Sequence, residues 1–276
     1  MSGTLEGRTI VMSGGSRGIG LAIALRAARD GANIVLVAKT ADPDPRLRGT
    51  VFTAAAEIEE AGGHAVPVVG DIRADESIEH AVAAAVERFG GIDVCLNNAS
   101  ALSLKPTLEL TPKRYDLMQD INTRGTFMLT RACLPHLLKS PNPHVLTLSP
   151  PISLAEHWLA KFPGYLLSKY GMTLATLAFA GEFRAQGVAA NCLWPRTTIA
   201  TDAVTNLLGG REALRHARVP AIVADAAYAV LTTQGQQLTG RTLIDDEVLR
   251  ERGVTDFGLY AVSGVDADLE GDFFLD

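Results

Sequence analysis

The chain has 276 residues, 47% of them hydrophobic, enough to bury one large core. Its 25 Lys and Arg against 31 Asp and Glu leave a net charge of −6, with no basic footprint for nucleic acid. No stretch approaches the roughly 20 apolar residues of a membrane-spanning helix, and Met1 to Arg8 lack the apolar core of a secretory signal. A cytoplasmic protein without integral membrane association is expected. Cys95, Cys133 and Cys192 are far apart among apolar neighbours and read as reduced core thiols. His64, His80, His136, His144, His157 and His216 show no pairing at ligand spacing, so no metal site is expected.

Along the chain, short apolar β-branched runs alternate with longer Ala- and Leu-rich segments. The expected order is strand 9–13, helix 18–30, strand 33–38, helix 51–61, strand 65–69, helix 77–89 and strand 92–96. There follow helix 112–138, strand 144–149, helix 165–185, strand 188–194, helix 223–232 and strand 241–244. The strands are short and mostly apolar rather than alternating, as when helices cover both faces of a sheet. This pattern predicts βαβ units in one doubly wound, Rossmann-type α/β domain with a parallel sheet of about seven strands. The domain is expected to span residues 1–252, with 253–276 as an acidic C-terminal extension of it. That extension ends Gly271-Asp272-Phe273-Phe274-Leu275-Asp276. Its three apolar residues either dock on the domain or a neighbouring subunit, or fray.

The first strand runs into Ser13-Gly14-Gly15-Ser16-Arg17-Gly18-Ile19-Gly20. Gly14, Gly18 and Gly20 follow a predicted strand and open a predicted helix. Such a turn lets backbone amides approach a pyrophosphate at a helix N-terminus. Ser16, Arg17 and Ile19 belong to the same cradle. The second strand ends Val37-Ala38-Lys39-Thr40, without the carboxylate that would bind a ribose diol and repel a 2′-phosphate. Lys39 and Arg17 both suit a 2′-phosphate, so NADP is the expected cofactor, with NAD as the alternative; Asp42 and Asp44 follow closely.

Tyr165 and Lys169 are four residues apart, one turn along the same helix face. A free phenol ionises near pH 10. A neighbouring ammonium and a cationic nicotinamide ring favour the phenolate, which is expected to bring Tyr165 toward its working pH as an acid/base. Tyr170, whose residue four further on is Leu174, reads as packing.

With these motifs in hand, the chain resembles the short-chain dehydrogenase/reductase family over nearly its whole length. The likeness rests on Gly14, Gly18 and Gly20, on Asp71 in Gly70-Asp71-Ile72, and on Asn97-Asn98-Ala99-Ser100. It extends to Asn122 in Ile121-Asn122-Thr123 and to the Tyr165/Lys169 pair. The resemblance implies that Asp71 contacts adenine, that the Asn97-Asn98 segment, with Asn98 at the cofactor, steadies the central strand, and that Asn122 holds a water in a proton relay. It further implies that Lys169 binds the nicotinamide ribose and tunes Tyr165. A closer resemblance is to the type-2 group of hydroxysteroid dehydrogenase-like proteins. It is carried by Ala38-Lys39-Thr40, Asn122-Thr123-Arg124-Gly125-Thr126, Ser149-Pro150-Pro151 and Trp194-Pro195. Some members of that group carry a sterol-carrier domain, for which nothing after the last predicted strand is long enough.

Two positions depart from the family pattern. The position of the catalytic serine falls on Ile152; Ser149 and Ser153 are the nearby hydroxyls, and Ser149 is preferred. After Pro195 the usual Gly is Arg196, which leaves Thr197, Thr198 and Ile199 as residues expected near the carboxamide, Thr198 foremost. The segments 156–162 and 201–219 fall where the family builds its substrate cleft. Trp158, Leu159, Phe162, Trp194, Leu207 and Leu208 would line it and suit a lipophilic alcohol or carbonyl. The expected activity is NADP-dependent hydride transfer with Tyr165 as acid/base. The alternatives are a reductase of activated C=C bonds and a cofactor-binding regulator with weak turnover. The resemblance implies a homodimer or homotetramer formed through helices 112–138 and 165–185.

Overall fold

The computed structural model describes residues 3–44, 49–207 and 214–275, apart from the side chains of Ala203, Asn206 and Leu207. Its centre is a seven-stranded parallel sheet of order β3-β2-β1-β4-β5-β6-β7. The strands are β1 Thr9–Ser13, β2 Asn33–Ala38, β3 His64–Val69, β4 Val94–Asn97, β5 His144–Leu148, β6 Ala189–Trp194 and β7 Thr242–Ile244. The order reverses between β1 and β4, so the carboxyl ends of these strands open a crevice at the switch point. Strands β1, β4, β5 and β6 are buried along their whole length, which accounts for their mostly apolar sequence.

Helices cover both faces. On one side α1 (Gly18–Ala28), α2 (Val51–Glu60), α9 (Ala221–Leu231) and α10 (Asp245–Glu251) pack over Ile10, Met12, Leu36 and Leu146. On the other, α3 (Asp75–Phe89), α5 (Gly125–Leu137) and α7 (Pro163–Glu182) pack over Val11, Val35, Cys95 and Val145. The helix α2 opens on a reciprocal cap, in which the Thr50 hydroxyl accepts from the Thr53 amide and the Thr53 hydroxyl from the Thr50 amide. All three cysteines are free and buried. Among the described residues no helix is long and apolar enough to cross a membrane.

The expected single helix 112–138 is in fact three pieces: α4 (Pro112–Met118), a π-helical turn Gln119–Arg124, and α5. The widened turn carries Asn122, whose side chain is pulled inward by hydrogen bonds to the loop after β4. Among the described residues three short helices were not expected: α6 (Glu156–Lys161), α8 (Asp202–Leu207) and α10. Each is too short to develop a periodic signature.

At the start of β5, His144 is 1% exposed. Its Nε2 lies 3.1 Å from the Thr233 carbonyl oxygen, while Nδ1 has no hydrogen-bond partner among the described residues. Burial pulls its pKa from 6.5 to about 4, and the charge of Arg8 adds to the effect. The folded state therefore resists a proton that the unfolded chain accepts. Stability contributed by the neutral ring is present above pH 6.5 and lost as pH falls toward 4, by about 3 kcal/mol in total. Denaturant titrations across this window should show that loss, and His144→Asn should flatten it.

Candidate active site

The turn between β1 and α1 supplies the first part of the site. Gly14 has φ +74°, and a Cβ there would stand 2.9 Å from Ala99 Cα. At Gly20 a Cβ would meet the Gly14 carbonyl oxygen and Asn98 Nδ2 at 2.5 Å each. Asn98 locks the arrangement by donating to the Gly14 carbonyl at 2.7 Å, while the Ser13 hydroxyl accepts from the Ala99 amide at 3.2 Å. The glycines thus bring α1 against β4 and leave the backbone open to a ligand. Asn97 steadies β4 from below, donating to Thr130 Oγ1 at 2.9 Å.

This turn borders a cavity of about 420 Å³ lined by Gly14, Arg17, Lys39, Asp71, Asn98 and Ile121, among others. Ser16, Gly18 and Ile19 also line it. The Lys39 side chain is 57% exposed, with Nζ 3.7 Å from Asp71 Oδ2. Asp71 is gripped by Arg73, whose Nη2 lies 2.7 Å from the same oxygen, and that bond holds the carboxyl below its usual range. Arg17 donates to the Gly49 carbonyl at 2.8 Å. A larger hollow of about 770 Å³ lies between α1 and α9, lined by Leu21, Leu25 and Ala224 among others. Neither hollow is lined by Tyr165 or Lys169; the smaller one reaches Gly14, Asp71 and Asn98 at the switch point and is the better candidate. An elongated dinucleotide fits that crevice: a cradle that any Cβ would fill, a helix N-terminus, and donors at its rim.

The second part of the site lies on α7. Tyr165 and Lys169 are buried, at 6% and 2% exposure. Lys169 Nζ donates to the Leu148 carbonyl at the end of β5 at 2.7 Å and lies 4.9 Å from the Trp194 ring centre. Burial pulls its pKa down to about 7, against the opposing pull of Asp272. The phenol of Tyr165 is pushed well above its ordinary value, first by burial and then by the charge of Asp272. The lowering expected from Lys169 is not seen in this state, where desolvation and the Asp272 charge both disfavour the phenolate.

Asn122 is fully buried. Its side chain accepts from the Ala101 amide at 2.7 Å and donates to the Ala101 carbonyl at 3.0 Å and the Ser168 hydroxyl at 2.9 Å. It ties the π turn to α7 three residues beyond Tyr165. Ser149 is also fully enclosed, and its hydroxyl has no hydrogen-bond partner among the described residues. It stands near enough to Cys192 to favour that thiolate electrostatically without making a well-formed bond. Ser153 is occupied elsewhere: its amide donates to the Tyr170 hydroxyl, which donates to the Ser153 carbonyl. Tyr170 is buried packing, as expected. Arg196, the other departure, donates through Nε to Asp246 at 2.8 Å, and so anchors β6 to α10.

The residues expected to line a substrate cleft meet the terminal apolar segment, which docks on the domain. The segment 270–275 runs back across the ends of β6 and α7. The Thr198 amide donates to the Glu270 carbonyl at 2.9 Å and the Asp272 amide to the Arg196 carbonyl at 3.0 Å. Trp194 Nε1 donates to the Phe273 carbonyl at 3.0 Å. Phe274, 1% exposed, lies with its ring centre 6.0 Å from Tyr165, 5.6 Å from Tyr170 and 5.8 Å from Trp158. Phe273 meets Phe162 edge-on at 5.5 Å. The end of the chain is docked, not frayed, and the backbone of Thr198 is spent on it. Leu159 is 39% exposed. Leu208 and the Leu207 side chain lie outside the described residues. Sequence reasoning passed over Asp272, whose only signal was a carboxylate beside three apolar residues.

Comparison with known proteins accords with this architecture. A family model described as short chain dehydrogenase matches residues 8–211. The hydroxysteroid dehydrogenase-like protein 2 of Danio rerio is 51% identical over 275 residues, covering 100% of this chain and 65% of the relative. The chain thus spans about two thirds of the length of that relative. A solved structure from Xanthomonas campestris superposes with a TM-score of 0.95 at 53% identity, covering 99% of both chains. A short chain dehydrogenase from Mycobacterium thermoresistibile does so with a TM-score of 0.93 at 54% identity, covering 99% of this chain and 96% of that one.

Proposed function

The chain belongs to the short-chain dehydrogenase family of oxidoreductases, and from that premise we propose that it is an NADP-dependent enzyme reducing a lipophilic carbonyl, with Tyr165 as the proton donor. One observation carries the reading: Tyr165 and Lys169, a turn apart on α7, are buried together beside the end of β5. That end belongs to the same sheet edge as the glycine turn. The cradle at Gly14, Ser16, Arg17, Gly18, Ile19 and Gly20 would hold the pyrophosphate, with Asp71 and Asn98 flanking it. Bound NADPH would supply the hydride.

The protein's own groups supply the rest. Burial keeps the Tyr165 phenol protonated, the form that can donate to an alkoxide as it develops. Lys169, fixed by the Leu148 carbonyl and the Trp194 ring, provides positive charge at the same place when protonated. Asn122 holds α7 in register with the loop after β4. The unpartnered Ser149 hydroxyl is the group we assign to polarising the carbonyl. The apolar cluster of Met118, Leu166, Trp194 and Ile244 around Tyr165, with Leu102, Leu104 and Leu110 against it, supports a lipophilic substrate.

For the cofactor, the supporting feature is the bare end of β2, where Ala38 is followed by the exposed Lys39 instead of a carboxylate. Assembly as a homodimer or homotetramer through α5 and α7 is consistent with the exposed Phe127, Leu167 and Leu174 on those helices. The test is NADPH and NADH consumption with a panel of aliphatic, cyclic and small polar carbonyls. NADPH-dependent turnover of the apolar members is expected, and activity confined to small polar carbonyls would refute the substrate assignment. Lys39→Glu should shift the ratio of kcat/KM values toward NADH by about tenfold or more, since a phosphate then faces a carboxylate.

A further inference from the structure

The segment 270–275 divides into an anchored stretch and a tip. Backbone hydrogen bonds tie down 270–272. The Glu270 amide donates to the His216 carbonyl at 2.8 Å, the Thr198 amide to the Glu270 carbonyl, and the Asp272 amide to the Arg196 carbonyl. Thr197 and Gly271 pair as an antiparallel bridge. Beyond this stretch the chain turns at Phe273 and Phe274. The Trp194 indole, donating to the Phe273 carbonyl, and ring contacts hold the tip. Phe274 adopts φ +70°, a conformation that a bulky side chain takes only where its surroundings impose it. Its backbone would relax by leaving, and its ring gains by staying. Two positions of the tip are thereby set close in free energy.

The ring lies where a substrate belongs, given the assignment of Tyr165 as proton donor above. A carbonyl oxygen accepting that proton comes within about 3 Å of the phenol oxygen, and the carbons attached to the carbonyl pack just beyond it. Phe274 already fills space of that kind. Its ring centre is 6.0 Å from that of Tyr165, and it meets Trp158 and Tyr170 edge to face at 5.8 and 5.6 Å. With Phe274 1% exposed and Tyr165 6% exposed, the phenol has no open side wide enough for a carbonyl compound. Something has to yield. Tyr165 and Tyr170 are fixed in α7 and Trp158 in α6, whereas Phe274 rides on the turn.

We propose that the Phe274 ring sits in the seat of the substrate's apolar group, and that residues 273–275 leave this seat when a carbonyl compound binds. The present occupant describes the seat: a flat, uncharged six-membered ring among aromatic edges and faces. It fits a cyclic, uncharged carbonyl compound, whose ring takes over the contacts that Phe274 gives up. The tip competes with that compound, so removing the Phe274 ring tightens binding.

The experiment is a titration of the full chain, saturated with NADP⁺, with trans-2-decalone, an apolar bicyclic ketone. NADP⁺ carries no hydride to give, so binding is read without turnover. Equilibrium dialysis measures the affinity, and tryptophan emission follows the tip. The chain has two tryptophans, and Trp158 touches the Phe274 ring while Trp194 bonds the Phe273 carbonyl. Decalone should change the emission of the unmodified chain in a saturable way. In Phe274→Ala its Kd should fall about fivefold or more, because the closed form no longer competes. Phe274→Leu keeps an apolar side chain in place; it should fall in between, and it decides the matter if the alanine variant does not fold. A Kd in the variants equal to or above that of the unmodified chain, or no binding to them at all, overturns the proposal. So does binding to the unmodified chain with no change in emission, because the tip would have stayed where it is. The two readings fail separately. A chain that binds decalone in this way but reduces no carbonyl with NADPH refutes the proposed function alone; one that reduces decalone while Phe274→Ala binds it no better refutes the seat alone.

Discussion

Tyr165→Phe is expected to lower kcat by about 10²- to 10⁴-fold, the usual contribution of a positioned acid or base, while NADPH affinity stays at the unmodified level. The change deletes one oxygen and keeps the ring, so the contact with Phe274 and the packing beneath it survive. A loss confined to kcat identifies a group that acts only as the transition state forms, whereas a rise in KM alone would mark a contact made equally in both states. The two readouts are steady-state kinetics and a fluorescence titration of NADPH. Full activity in the variant removes Tyr165 from the mechanism. NADPH binding without measurable turnover in the unmodified chain favours the alternative of a cofactor-binding regulator.

Asp246→Ala is expected to be the most damaging change to stability. Asp246 is completely buried and accepts from Arg196 Nε at 2.8 and 2.9 Å and from Arg250 Nη1 at 2.8 Å, with Arg218 Nη1 3.8 Å away. Arg218 is itself 4% exposed, with Asp266 as its remaining carboxylate. Removing the acidic centre strands buried positive charge, at a cost of about 3–5 kcal/mol. In a chain of this length that corresponds to a melting temperature lower by roughly 5–9 °C. Glu247→Gln is the control. Glu247 also bonds Arg196, but its side chain is 58% exposed, and the loss should stay below about 1 kcal/mol. Equal effects from the two variants would show that the network gains nothing from burial. The cluster also bears on the site, because the Arg196 carbonyl receives the Asp272 amide.

Arg196 and Asp272 show where sequence reasoning stops. Arg196 reads as an unexplained departure from a family motif, since its partners on α10 are 50 and 51 residues away. No local pattern announces an ion pair at that range. Asp272 reads as one acidic residue in an acidic tail, and nothing in the order of residues says that the tail returns to α7. The π turn at Asn122 is hidden for a different reason. Widening one turn barely disturbs hydrophobic periodicity, and only the pull of the Ala101 loop on the asparagine side chain produces it.

By itself, the order of residues determined the parallel α/β sheet, because strands buried on both faces are mostly apolar along their length and their connecting helices are amphipathic. It also determined the glycine turn, where a backbone approach closer than any Cβ allows can be met by one residue type alone, and the pairing of Tyr165 with Lys169 along one helix face. Only the tertiary structure decided what those two groups experience. Their ionisation depends on burial and on a carboxylate more than a hundred residues away, and desolvation is a property of everything packed around a group, not of its neighbours in the chain.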